Sequence, residues 1–187
     1  MAERVCPWWL GYLLASPIRR WFENPQDVLG PHLKSGATAL DVGCAMGFFS
    51  LPLAELVGPT GRVICVDLQE RMIRSLRKRA ARAGVSDRIE TRVCSTSSLG
   101  IRDLEGGVDF ALAYAVVHEV PDAAPFLAEI GNALVPGGRF LIAEPRGHVS
   151  EEALDRTREA AQSAGLSLVD RPPIKRSRTA LLEKARG

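Results

Sequence analysis

The chain reads as an α/β fold with seven strands in a mostly parallel sheet, helices on both faces, and an antiparallel hairpin at the carboxyl end. Three observations predict this. From residue 36 onward, short apolar runs alternate with helical patterns at the spacing of βαβ units. Glycine, proline and serine punctuate the junctions. The last two apolar runs, 166–170 and 178–183, are joined by too short a link for a crossover helix, so they pair as a hairpin at one edge.

The elements follow in order. Residues 38–42 form the first strand and 47–57 the first helix. The second strand is 62–67, and a helix over 69–83 stops at Gly84. Strand three is 88–94 and leads into a Ser/Thr-rich loop; strand four is 108–113. Asp122 caps a helix running to residue 134, and the turn Pro136-Gly137-Gly138 leads into a strand over 139–144. Ser150 caps the helix 150–164, with Gly165 just past its end. In such sheets ligands bind beyond the carboxyl ends of the strands, so those loops carry the functional candidates.

The first 35 residues differ in character. Trp8, Trp9, Tyr12, Trp21 and Phe22 crowd a segment cut by Pro7, Pro17, Pro25 and Pro31. It reads as helical pieces capping the ligand edge, before a main domain over 36–187. Residues 5–15 are apolar, but Pro7 interrupts them and Glu3 offsets Arg4, so they read as mature structure and not as a leader. No apolar run reaches the ~18 residues of a membrane span. A net charge of +2 gives no global electrostatic case for nucleic acid, and none is expected as a partner. The only charge-rich helix holds Arg71, Arg74, Arg77, Lys78, Arg79 and Arg82, which reads as a solvated face. Cys6, Cys44, Cys65 and Cys94 form no C-x-x-C pair, and a reducing cytoplasm is the default location.

The chemical signal lies in Asp41-Val42-Gly43-Cys44-Ala45-Met46-Gly47, between the first strand and the first helix. Glycines there let backbone approach a ligand closely. Asp67 ends the second strand, 20 residues beyond Gly47, where a carboxylate accepts from a ribose diol. The pair selects a nucleoside cofactor. A dinucleotide wants a third glycine near the helix start, where this chain has Phe48-Phe49, and Asp41 would repel a pyrophosphate. Asp41 suits instead a turn that faces the ammonium of an amino-acid tail.

On these residues the chain resembles the class I S-adenosylmethionine-dependent methyltransferases, whose fold is Rossmann-like. The likeness spans about 36–145. It rests on Leu40 through Gly47, on Val66-Asp67-Leu68, on Val108-Asp109-Phe110, and on Leu134-Val135-Pro136-Gly137-Gly138-Arg139. Val116-Val117-His118-Glu119-Val120 is similar to a segment of the small-molecule branch, which includes quinone-biosynthesis and arsenite methyltransferases. The resemblance implies S-adenosylmethionine as cofactor and S-adenosylhomocysteine as product. It implies that Asp41, Gly43, Cys44, Ala45 and Gly47 surround the methionine moiety and that Asp67 holds the ribose. It further implies that Leu68 and Met72 pack on adenine, and that Ala113 and Tyr114 flank the sulfonium. Ser95 stands where the family often has an acid that receives the adenine amino group; a serine hydroxyl can accept the same bond. Ala45 replaces the middle glycine of the turn.

Methyl transfer from a sulfonium is an in-line displacement, and a base is needed only when the acceptor carries a proton. His118, after the fourth strand, is the candidate base, with Glu119, Glu144 and His148 on the same edge; the competing reading is that it packs a helix start. The aromatic segment favours a small apolar acceptor reacting at oxygen, carbon or sulfur. No metal is expected. Other readings stay open: a thiol or metalloid methyltransferase using Cys44, Cys94 and Cys6, a non-catalytic S-adenosylmethionine-binding module, and a nicotinamide dehydrogenase.

Overall fold

A computed structural model describes residues 24–186. The aromatic segment before them, with Cys6, lies outside the described residues. Two compact units divide the chain, Met1–Cys94 and Ser95–Gly187.

The first unit holds three parallel strands in the order β3-β2-β1: β1 (Thr38–Val42), β2 (Arg62–Asp67) and β3 (Ile89–Val93). β1 and β2 are buried over nearly their whole length, so both read as continuous apolar runs and not as alternations. β3 is more exposed and mixes Glu90, Thr91 and Arg92 with its apolar positions. Among its described residues are the α-helices α1 (Pro25–Leu29), α2 (Ser50–Leu56) and α3 (Glu70–Ala83). α3 buries Met72, Ile73, Leu76 and Ala80 at helical spacing and ends at a left-handed Gly84.

The second unit holds β4 (Val108–Tyr114), β5 (Leu134–Pro145), β6 (Leu166–Asp170) and β7 (Ser177–Lys184), in the order β4-β5-β7-β6. β4 and β5 are parallel; β7 runs antiparallel to both β5 and β6, which is the predicted hairpin. Its helices are α4 (Ala123–Ala133) and α5 (Glu151–Ser163). The predicted caps are in place: Asp122 accepts from the Ala124 N–H, and Ser150 from the Ala153 N–H. Phe110 and Phe140 are fully buried and anchor the core of this unit. A buried phenylalanine of this kind contributes about 1.5–3 kcal/mol by removal from water.

Two boundaries depart from the sequence reading. The first helix begins at Ser50 and not at residue 47. Gly47 stands at φ 85° and Ala45 at φ 46°, so the glycine turn keeps the chain out of right-handed helix for longer than the apolar pattern suggests. β5 begins at Leu134 and not after the Pro136-Gly137-Gly138 turn. Leu134 pairs with Val108 and Arg139 with Phe110, so the three residues are a bulge inside one strand. Gly138 permits it, because a Cβ there would lie 2.8 Å from the Val135 carbonyl oxygen.

Candidate functional site

In the first unit the glycine turn is tied to the end of β2. The Gly43 and Cys44 N–H groups both donate to the Val66 carbonyl, at 2.8 and 3.1 Å. The Ala45 N–H donates to Asp67 Oδ2 at 2.9 Å, and the Gln69 N–H to Oδ1 at 2.8 Å. A guanidinium N–H of Arg79, on α3, donates to the Met46 carbonyl. Gly47 is favoured by its backbone. It adopts the left-handed region, which side-chain-bearing residues rarely enter, and the buried Leu76 side chain packs where its Cβ would stand.

The two carboxyls of this turn differ. Asp41 is 3% exposed and accepts from the Ser50 hydroxyl at 2.5 Å. Burial lifts its pKa to about 7; the Ser50 bond opposes the rise and the nearby Asp67 adds to it. Asp67 is also raised by burial, but the Gln69 and Ala45 N–H groups hold it down. It is 8% exposed and carries one backbone donor on each oxygen, so each oxygen keeps a lone pair. Two adjacent acceptor sites on one carboxylate match the two hydroxyls of a ribose. The donor set therefore fits a nucleoside cofactor.

The other candidates of this unit lie as follows. Cys44 is buried, and burial together with Cys65 pushes its thiol up, away from the thiolate a soft metalloid would need. Leu68 is half-buried, whereas Met72 is 2% exposed and belongs to the core under α3. Among the described residues no group of three His, Cys, Asp or Glu side chains is placed to hold a metal.

In the second unit, the sites cluster at the carboxyl ends of β4 and β5. Ala113 is fully buried, and Tyr114 places its hydroxyl 3.1 Å from Ser177 Oγ on β7. Ala115 turns the chain at φ 57° into a short helical turn, Val117–Glu119. Glu144, 2% exposed, receives that turn: its Oε1 accepts from the Val116 and Val117 N–H groups at 3.1 and 2.9 Å, and its Oε2 bonds His118 Nδ1. The bond to Glu144 raises the His118 pKa, burial opposes it, and the charges of Glu144 and Glu119 add to the rise. The His148 ring lies edge-on to His118, with centroids 5.5 Å apart. With Nδ1 committed to Glu144, Nε2 is the nitrogen left to exchange a proton.

Ser95 is exposed and wound into a serine turn, accepting from the Ser98 N–H at 3.1 Å. Sequence reasoning did not single out Ser98 or Glu129. Glu129 projects from α4 onto this loop, and the separation of 30 residues leaves no local pattern to reveal it.

A family profile described as "Methyltransferase domain" matches residues 33–184. The chain belongs to that family. Membership implies S-adenosylmethionine as the methyl donor. A solved S-adenosylmethionine-dependent methyltransferase from Aquifex aeolicus superposes with a TM-score of 0.84 at 22% identity, covering 96% of this chain and 99% of that one. That likeness shows the fold: the Rossmann-like sheet of seven strands, mostly parallel, with antiparallel carboxyl-terminal strands. A ribosomal RNA small subunit methyltransferase G from Deinococcus radiodurans is 31% identical over 158 residues, 84% of this chain and 59% of that protein. A demethylmenaquinone methyltransferase from Symbiobacterium thermophilum is 35% identical over 131 residues, 70% of this chain and 50% of that protein. The chain thus spans half to three fifths of the length of these two relatives. No described helix is long and apolar enough to cross a membrane.

Proposed function

We propose that the chain moves a methyl group from S-adenosylmethionine to a small-molecule acceptor, at oxygen, carbon or sulfur. The Asp67 carboxylate carries the reading: it is buried, clamped by the glycine turn, and still has two acceptor sites for a ribose diol. The cofactor supplies an activated methyl on a sulfonium. What the chain must add is orientation, exclusion of water and, for a protonated acceptor, a base. Asp67 and the turn from Gly43 to Gly47 orient the cofactor. Asp41 favours its ammonium end, Leu68 lies beside the base, and Ser95 receives the adenine amino group. His118 is the base, held through Nδ1 by Glu144 with Nε2 left for the proton.

The acceptor class draws support from the demethylmenaquinone methyltransferase, whose name gives demethylmenaquinone as its substrate. The ribosomal RNA methyltransferase favours a second reading, an RNA acceptor, at similar identity. The buried, protonated thiol of Cys44 gives the metalloid reading no support.

Isothermal titration with S-adenosylhomocysteine tests the cofactor half. Micromolar binding by the intact chain, lost in Asp67→Ala, is expected; no binding by the intact chain would overturn the cofactor reading. Labelled methyl transfer to hydroquinones, phenols, thiols and ribosomal RNA then tests the acceptor half. Incorporation into RNA alone would overturn the small-molecule reading.

A further inference from the structure

Two helices with solvent-facing sides, α3 and α5, are charged in opposite ways. α5 carries four acids and two arginines, and Arg158 pairs with Asp155 one turn before it. α3 carries six basic residues against one acid, Glu70. The net charge of +2 averages this excess over the whole chain.

The six basic residues of α3 are not equivalent. Arg77 leans toward the sheet edge, where its Nε donates to the Thr91 hydroxyl of β3 at 2.7 Å, and Arg79 donates to the Met46 carbonyl. Arg74, Lys78 and Arg82 stand four residues apart on one line, exposed, on the side opposite the buried Met72, Ile73, Leu76 and Ala80. Arg71, also exposed, extends the line at its start. From Arg74 to Arg82 the line is about 12 Å long, at about 1.5 Å of rise per residue.

Arg82 alone would be ordinary, since a cation at the end of a helix meets the negative pole of its dipole. Arg71 and Arg74 stand toward the other pole, which opposes them. Cations three and four residues apart also repel one another. The Arg74–Glu70 pair, 3.5 Å apart with both side chains more than half exposed, offsets little of this. A face that only had to stay in water would interleave acids, as α5 does. The line thus holds an excess of positive charge that α3 does not balance, and its complement is an anion that repeats along a line. The outward side has no large apolar residue: besides its charges it offers Ser75, Ala81 and Ala83. Entry into a lipid surface needs such residues, and protein interfaces centre on them. Contacts to phosphates do not.

We propose that α3 is a docking site for the phosphate backbone of a nucleic-acid strand, engaged by Arg74, Lys78 and Arg82. The site lies wholly within the first unit. Binding there calls for neither cofactor nor methyl acceptor, so its failure and the failure of the transfer reading are separate results.

The test is fluorescence anisotropy of the full chain with labelled oligouridylate and oligothymidylate, without S-adenosylmethionine. Three phosphate contacts predict that affinity falls about 20-fold between about 50 and about 200 mM salt. Arg74→Gln, Lys78→Gln and Arg82→Gln combined should weaken binding about tenfold or more at the lower salt and flatten that dependence. Glutamine is a good helix former, and circular dichroism melts check that α3 is kept. A second triple variant, Arg102→Gln, Arg156→Gln and Lys175→Gln, removes the same charge from exposed positions of the second unit and should bind like the intact chain. Binding of only one oligonucleotide supports the site and identifies the sugar. No binding by the intact chain, equal loss in both triple variants, or a tighter hold on phosphatidylserine vesicles or polyglutamate than on either oligonucleotide would each overturn the proposal.

Discussion

Two buried carboxylates stand at the carboxyl ends of parallel strands, Asp67 on β2 in the first unit and Glu144 on β5 in the second, and their hydrogen bonding separates them. Asp67 carries one backbone donor on each oxygen and keeps two acceptor sites. Glu144 carries two backbone donors on one oxygen and the His118 imidazole on the other, so only one of its four sites is left. Residue type and strand position are alike, yet the first keeps acceptor sites open and the second spends its own on a loop and a histidine. The difference teaches that the role of a strand-end acid follows from how far the fold has already satisfied it.

Removing each acid should break the comparison most sharply. Asp67→Ala is expected to cost S-adenosylhomocysteine affinity about 100-fold, the scale of two charge-assisted hydrogen bonds, in titration calorimetry. Glu144→Ala should instead act on folding. It strands two N–H groups and an imidazole in a buried setting, at about 3 kcal/mol, which corresponds to ~6–12 °C in Tm for a chain of this size. Wild-type stability in Glu144→Ala, or full affinity in Asp67→Ala, would show that saturation does not sort these roles.

A second experiment turns on Asp41. Its folded pKa of about 7 lies above the ordinary 3.8, so between those values the folded state binds the proton more tightly than the unfolded chain does. This group therefore adds stability at low pH, and that stability fades as pH rises from about 4 to about 7. Thermal melts of Asp41→Asn should lose that component of the slope, and an unchanged slope would refute the assignment. An ammonium docking at Asp41 favours the ionised form. Cofactor binding near pH 7 should then release a proton, seen as a buffer-dependent heat.

The smallest expected effect concerns His118. Its pKa is raised, chiefly by the bond to Glu144, so the stability from that pair is complete below the ordinary histidine value of 6.5 and is lost as pH rises through the folded pKa. Glu144→Gln should lower the His118 titration midpoint in NMR and shift the acidic limb of any pH–rate profile the same way. An unmoved midpoint would leave Glu144 as a loop anchor alone.

Much of the fold was legible because its signals are local. The alternation of apolar runs and helical patterns, the caps Asp122 and Ser150, and the short link before β7 each depend on residues a few positions apart. The offset from Gly47 to Asp67 was legible for a related reason: one βαβ step fixes which residue reaches the strand end beside the turn. Even there the local reading failed at the start of α2, where the left-handed backbone at Ala45 and Gly47 overrides a pattern that suits helix, and at the Pro136-Gly137-Gly138 bulge, which became strand only by pairing with β4.

By itself, then, the sequence determined the class of fold, the glycine turn after β1 and the acid at the end of β2 that the turn clamps. Tertiary structure alone decided that Glu144 closes on Val116, Val117 and His118, that Ser50 meets Asp41, and that Glu129 ties down the loop at Ser98 and Leu99. The physical reason is that a side chain's residue type sets how many hydrogen bonds it can make, while the donors that use them come from distant segments, and only the folded chain brings those donors within reach.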